Sequence, residues 1–334
     1  QLIAGEKIFL IDPLALEDLS PLGQVFHDPG IVKVFHGADY DLRCLSRDFA
    51  LRTLPIFDTM VAASLLAYPA VGLGALVQKH FGVDLPKTNA LTRYNWATRP
   101  LPEQHLDYLK NDVRYLLPLR EALLKELEAK ELVAEAEWEF RQLEQITRRT
   151  TPATSEGFFA IKGARQLEPL QQAVMKQVYE YRERMAEKHD VPRFKVFSDS
   201  VVLGVARELP RRPEALVKVP GISPRLARRH GRHLLEAVRA GQEDFRQGRV
   251  PVPPTRRAAR GAHRNSELEL RLKQWRAAEA QRRGISPQAV LPTICLKDLS
   301  RASHVDELVL SQLPGMIPSR LERYAKRILE LISS

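Results

Sequence analysis

The stretch that most narrows the possible folds is residues 31–44, IVKVFHGADYDLRC. An apolar run rich in β-branched residues breaks at Gly37, and the next segment opens with Asp39 and Asp41. That is the pattern of a buried strand turning into an amphipathic helix whose first turn carries carboxylates. Its distant counterpart is YLKND, residues 108–112. On a helix, Tyr108 and Asp112 stand at i and i+4 and share a face, so a phenol and a carboxylate aim at one place. Carboxylates gathered from separate elements at a strand end suit hard cations such as Mg2+ or Mn2+, which prefer oxygen donors.

A chain of 334 residues exceeds one small domain and predicts two or three. Its formal charge of +10 is unevenly spread: residues 1–145 hold 15 Lys and Arg against 21 Asp and Glu, the remainder 36 against 20. An acidic front half concentrates metal ligands, while a basic rear half suits a polyanion. The two cysteines, Cys44 and Cys295, have no metal-ligand spacing and read as reduced thiols in a reducing compartment. No apolar run approaches the ~18 residues of a membrane span and no signal peptide is visible, so a cytoplasmic protein without membrane contact is expected.

In chain order, residues 7–12 read as a short buried strand, 19–27 as a helix, 31–36 as a strand and 39–49 as a helix. Pro55 introduces IFDT and an Ala- and Leu-rich helix, 73–81 is another short helix, and 102–129 reads as one long helix. Glutamates within 126–144 read as the exposed face of a helix. Strands early with helices interleaved predict an α/β layer structure. After about residue 145 the pattern is helical only, and an ungapped repeat appears 94 residues apart, 216–236 on 310–330. Pro220/Pro314, Gly221/Gly315, Pro224/Pro318, Arg229/Arg323, Leu235/Leu329 and Glu236/Glu330 match, and Tyr181-Arg182 falls on Trp275-Arg276. The period is too long for a solenoid of ~20–50-residue units, so it marks a duplicated small domain. Between the copies, residues 246–264 carry six arginines, several prolines and no acid, an extended basic linker able to touch phosphates.

These motifs resemble the ribonuclease D group of 3′→5′ exonucleases, in the tyrosine branch of the DEDD superfamily. HGADYDL is similar to the group's second exonuclease motif, which implies a metal-binding role for Asp41; YLKNDVRYLLPL is similar to the third, which implies Tyr108 and Asp112. KTNALTRYNWATRPL resembles the Lys…Asp-Trp…Arg-Pro-Leu segment, with Asn95 where an aspartate is usual, and Asp58-Thr59 matches a recurrent pair. The two repeats are similar to HRDC domains. The resemblance implies an α/β ribonuclease H-like exonuclease domain, a mixed sheet with flanking helices, followed by two small all-α HRDC domains. The domains are expected at 1–145, 165–245 and 265–334, with the linker at 246–264. The group's first motif, Asp-x-Glu, does not occur in these residues. Residues 1–13 resemble the segment that normally succeeds that motif, so the first strand is expected upstream of Gln1. The chain as given is expected to be poorly behaved and weakly active or inactive.

The implied chemistry is two-metal hydrolysis, two Mg2+ or Mn2+ ions ~3.5–4 Å apart releasing nucleoside 5′-monophosphates from RNA 3′ ends such as those of tRNA precursors. Asp41 and Asp112 are the metal ligands and Tyr108 positions or helps deprotonate the attacking water. Around them, His36, as the last residue of a strand, reads as a packed histidine behind the ligands rather than a general base, with Asp39 and Asp58 in the same surrounding layer. Trp96 reads equally as a nucleobase-stacking face and as a hydrophobic plug, and Lys87 and Arg99 as phosphate contacts or structural charges. The short basic helix around residues 225–232 reads as a phosphate grip or a solvated face. The chain is expected to act as a monomer. The rival readings are a DNA 3′→5′ exonuclease and a nucleic-acid-binding protein with a dead nuclease site.

Overall fold

The computed structural model describes residues 1–85, 94–145, 157–189, 191–252, 265–302 and 304–333. The chain folds as two compact units, one made of Gln1–Thr150 with Gly261–Ser334, the other of Thr151–Arg260. The packing therefore divides the chain differently from its composition: the last segment shares a hydrophobic core with the first.

In the first unit, β1 (Leu2–Ala4) and β2 (Lys7–Phe9) pair antiparallel. The predicted strand over 7–12 is thus shorter, and it is not buried: Phe9 is 46% exposed. After a helical turn, α1 (Gly23–Phe26), β3 (Lys33–Phe35) leads into α2 (Asp39–Phe49), and β4 (Ile56–Asp58) leads into α3 (Thr59–Leu65). β3 and β4 pair parallel with Val34 opposite Phe57 and Phe35 opposite Asp58, so both strands end, and both helices begin, side by side. Open α/β sheets place their sites at this carboxyl edge of the strands. Then come α4 (Leu73–Phe81), α5 (Glu103–Arg114), α6 (Leu116–Ala129) and α7 (Val133–Glu144). The single helix predicted over 102–129 is broken at Tyr115 into α5 and α6. Leu119, Leu123 and Leu127 of α6, repeating every four residues, are fully buried beside Ala62 and Leu65 of α3.

The second unit builds its own core around α8 (Pro169–Lys188), with α9 (Arg193–Val196), α10 (Asp199–Glu208), α11 (Pro213–Leu216) and α12 (Pro224–Arg246). The C-terminal part of the first unit repeats that order: α13 (Ser266–Arg283), α14 (Pro287–Val290), α15 (Thr293–Leu299), α16 (Glu307–Gln312) and α17 (Pro318–Ser333). The 94-residue register survives at the level of single bonds. Arg182 donates to the Phe197 carbonyl and to Asp199, and Arg276 donates to the Leu291 carbonyl and to Thr293. Tyr181 meets His230 edge to face, and Trp275 meets Tyr324 in the same way. The Pro-Gly turn before the last helix holds its glycine at φ +89° in one copy and +86° in the other, a conformation that favours glycine.

The glutamate-bearing helix α7 is where the C-terminal copy joins the first unit, and this corrects its reading as a solvated face. Glu131, just before α7, and Glu135 and Glu139 within it lie at i, i+4 and i+8. Arg323 donates to Glu131 at 2.8 Å, Ser319 to Glu135 at 2.9 Å and Gln288 to Glu139 at 2.9 Å. Glu135 is 1% exposed. Arg320, fully buried, lies over the Trp138 ring and donates to the Ala289 and Gly315 carbonyls. The Ser286 amide reaches the Leu65 carbonyl at the end of α3. Lys130 donates to the Gly284 carbonyl, and Arg283 donates to the Lys130 carbonyl. Residues 253–264 of the basic linker lie outside the described residues. No described helix is long and apolar enough to cross a membrane.

Candidate functional site

The two carboxylates singled out by the sequence come from different elements. Asp41 sits in the first turn of α2, where the N-terminal end of the helix dipole favours an anion. Asp112 lies near the end of α5, on one stripe with Tyr108 and His105. Burial first raises the Asp112 carboxyl to about 6, and the charge of Asp41 adds to the shift. Asp41 is raised too, by burial and then by Asp58. Two acids whose pKa values are pushed up in a shared crowded spot form a place where a cation is electrostatically welcome.

Tyr108 is raised by partial burial and then by Asp112. Its phenol therefore stays protonated across the neutral range, which fits positioning of a water better than removing its proton. The ring is held from behind. Trp96 stacks on Tyr108 at 6.0 Å between centroids and 29° between planes, and meets His105 edge-on at 5.7 Å; Tyr94 lies 3.9 Å from His105. Trp96, half-buried, is thus part of an aromatic cluster that fixes the phenol.

Arg99 is already engaged: its Nε and Nη2 donate to both oxygens of Asp12 at 2.6 Å, and its Nη1 to the Trp96 and Thr98 carbonyls. This bidentate pair pulls Asp12 down to about 2 and ties the segment bearing Trp96 to the end of β2. Lys87 lies outside the described residues.

Asp58 is 1% exposed and its carboxylate is saturated by backbone amides. Oδ1 accepts from Gly37 at 3.0 Å, Met60 at 2.8 Å and Val61 at 3.1 Å, and Oδ2 accepts from Ala38 at 2.7 Å. One side chain thus caps α3 and holds the turn from which α2, with Asp41, departs. Thr59 donates its single hydroxyl proton to the Phe35 carbonyl, which leaves His36 Nδ1, 2.9 Å away, as the donor to Thr59. Burial lowers the His36 pKa, so the ring is neutral with its proton on Nδ1. Asp39 does not join this layer. It stands two residues from Asp41, on the opposite side of α2, and its exposed carboxylate takes both Arg43 donors at 2.9 and 3.1 Å. Sequence reasoning missed Asp12, Tyr94 and His105, and named Thr59 only as part of a recurrent pair. Only their distant partners give them meaning.

The donor set around Asp41 and Asp112 is all oxygen, which fits a hard divalent cation. Among the described residues no group of three or more His, Cys, Asp or Glu side chains comes together as a metal cage, so the pair alone gives an incomplete shell.

Known proteins share these features. The 3′-5′ exonuclease family profile matches residues 1–128, and the HRDC profile matches twice, at 171–238 and 266–332. Ribonuclease D of Desulfotalea psychrophila is 32% identical over 237 residues, covering 71% of this chain and 63% of that protein. Ribonuclease D of Pseudomonas paraeruginosa is 29% identical over 309 residues, 90% of this chain and 78% of that protein. The crystal structure of Escherichia coli RNase D, an exoribonuclease involved in structured RNA processing, superposes with a TM-score of 0.69 at 27% identity, covering 98% of this chain and 86% of that one. The first of these matches thus spans less than two thirds of its relative's length. With matches to the 3′-5′ exonuclease model and twice to the HRDC model, and with ribonucleases D among its relatives, the chain belongs to the ribonuclease D family.

Proposed function

We propose that this protein is a divalent-metal-dependent 3′→5′ exoribonuclease that trims RNA 3′ ends, tRNA precursors among them, releasing nucleoside 5′-monophosphates. The observation that carries the reading is the elevation of Asp41 and Asp112 beside Tyr108 at the carboxyl edge of two parallel strands. Asp41 and Asp112 hold the cations, two Mg2+ or Mn2+ by analogy with the superfamily, and Asp58 and His36 stand behind them. When bound, such a cation supplies Lewis acidity and makes water a nucleophile at neutral pH.

The chain's own residues do the rest. The protonated Tyr108 hydroxyl orients water, and Trp96 keeps that hydroxyl from swinging away. Lys87 stays a proposed phosphate contact. Arg99, being paired with Asp12, supports the site by anchoring the loop. An RNA 3′ end enters single-stranded, its bases free to splay. We take the domains as 1–145, 165–245 and 265–334 with a basic linker at 246–264, and the protein as a cytoplasmic monomer without membrane contact.

The test is digestion of a 5′-labelled RNA in Mg2+, with a matched DNA strand in parallel. Stepwise shortening from the 3′ end, lost in D41N and D112N, supports the reading. Internal cleavage, or shortening that D112N leaves intact, overturns it, and preference for DNA favours the rival exonuclease. The incomplete carboxylate shell favours a second reading, an RNA-binding protein that does not turn over. Binding without shortening at any Mg2+ concentration selects it.

A further inference from the structure

The duplicated module serves once as a brace and once as a free surface. In the C-terminal copy the face formed by Gln288, Ser319 and Arg323 is occupied by the carboxylates of Glu139, Glu135 and Glu131. At the 94-residue register the same positions of the first copy are Phe194, Arg225 and Arg229. Phe194 is 68% exposed and both arginines are exposed. Arg228 stands where the second copy has Glu322, and Arg232, with a side chain 87% exposed, where it has Lys326. In the same copy Arg211, Arg212 and Lys218, with one acid, Glu214, line a cleft of about 500 Å³. Among the described residues, Arg225, Arg228 and Arg229 form no ion pair, while Arg232 pairs with Glu236.

We infer that the first copy, and not the second, grips the phosphodiester backbone of the RNA, using the face by which its twin holds the α7 carboxylates, with Phe194 presenting a ring to a base. The inference rests on the RNA reading above and adds where the polymer is held. Arg323 demonstrates that an arginine at this position of the module takes an anionic oxygen. A phosphate presents the same paired acceptors to Arg229. Relative to its twin, the first copy gains three arginines, Arg225, Arg228 and Arg232, the last in place of a lysine, and loses an acid on this face, so it suits a line of phosphates more than a few spaced carboxylates. An exposed aromatic ring beside arginines stacks on any base. The second copy cannot do the same, because its anion-binding groups are spent inside the protein.

The test uses the full chain, a fluorescent RNA hairpin with a single-stranded 3′ tail, and EDTA to prevent cleavage. Affinity is read by anisotropy over a salt series. In R225E/R229E the affinity should fall about 10-fold or more and the salt slope should shrink by about 2, while thermal unfolding followed by far-UV circular dichroism is unchanged. R323A should lower the unfolding temperature and leave RNA affinity as it was. Unchanged affinity in R225E/R229E overturns the inference, as does weakened binding in R323A without loss of stability. A labelled peptide with the α7 sequence that binds through Arg225 and Arg229 where RNA does not also overturns it, and reassigns the face to a protein. F194A separates the two parts of the grip, with weaker binding at an unchanged salt slope expected and a reduced slope counting against the stacking role. RNA held as described but never trimmed in Mg2+ sinks the nuclease reading alone; trimming that is insensitive to R225E/R229E, with affinity unchanged, sinks this face alone.

Discussion

Replacing Asp58 by asparagine changes one oxygen to a nitrogen, and the structure says which bond is lost. The amide carbonyl can take the place of Oδ1 and keep Gly37, Met60 and Val61, but its NH2 must then face the Ala38 amide, which met Oδ2 at 2.7 Å. Ala38 is fully buried, so no water replaces the acceptor. Losing one charge-assisted bond while weakening three others to neutral strength should cost about 3 kcal/mol. All three tryptophans, Trp96, Trp138 and Trp275, belong to the first unit, so tryptophan fluorescence follows its unfolding selectively. With a urea m-value of about 2–3 kcal/mol per M, the midpoint should fall by about 1 M at constant slope. Because the turn at Gly37-Ala38 sets the start of α2, Asp41 should also be displaced, and Mn2+ affinity measured by titration calorimetry should drop about 10–100-fold in molecules that remain folded. A midpoint that moves by less than ~0.3 M would show that the four amide bonds are not what holds the turn.

The same geometry sets three further outcomes. Mn2+ binding should weaken as pH falls through about 6, because the proton taken up by Asp112 competes with the ion; affinity flat from pH 7.5 to 5 would contradict this. For the metal-free protein the sign is reversed: with a folded pKa above the ordinary 3.8, the Asp112 contribution to stability is present at low pH and lost as pH rises toward 6, whereas Asp12, held near 2 by Arg99, stabilises above about 4 and stops doing so toward 2. Y108F keeps the ring that Trp96 holds and removes only the hydroxyl, so turnover should fall about 100-fold with RNA KM and Mn2+ affinity unchanged, and with no rate limb from a phenol below pH 10 in the parent. R320L installs the residue the first copy carries at that position, Leu226; it strands the Ala289 and Gly315 carbonyls and leaves Glu135 and Glu139 without their nearest buried cation, a loss of about 3–5 kcal/mol in urea unfolding.

What the sequence disclosed was local or periodic. The break at Gly37 marked the end of β3 and the start of α2, the i and i+4 spacing put Tyr108 and Asp112 on one stripe of α5, and the ungapped repeat foretold bond-for-bond equivalence of Arg182 and Arg276. What it hid was non-local. Nothing near Arg99 announces Asp12, which lies 87 positions away, so its reading stayed open between a phosphate contact and a structural charge. Asp39 could have been set aside from helix geometry alone, since residues two apart on a helix diverge. The glutamates of α7 misled because an acidic stripe at four-residue spacing is the usual mark of a solvated helix face. Only a partner that brings Arg323, Ser319 and Gln288 to the same spacing turns it inward.

That stripe allows magnitude, rather than distance, to decide which contact matters. Arg323 is closer to Glu131, at 2.8 Å, than to Glu135, at 3.9 Å. A ranking by distance would make Glu131 the stronger partner. Yet the Glu131 side chain is 77% exposed, and ion pairs in such surroundings contribute about 0–1 kcal/mol because water competes for both charges. The Glu135 side chain is 1% exposed, accepts from Ser319 and stands near Arg320 as well, so its charge is compensated inside the protein by three groups at once. Removing it leaves the half-buried Ser319 hydroxyl without its acceptor and takes one of two nearby anions from each of Arg320 and Arg323. E135A should therefore cost roughly 2–3 kcal/mol in tryptophan-monitored urea unfolding, and E131A less than about 1 kcal/mol. In double-mutant cycles with R323A, the coupling to Glu135 should exceed the coupling to Glu131 despite the longer distance. If E131A proves the costlier change, the C-terminal copy is held by surface pairing, and the buried stripe on α7 is not what joins the two halves of the first unit.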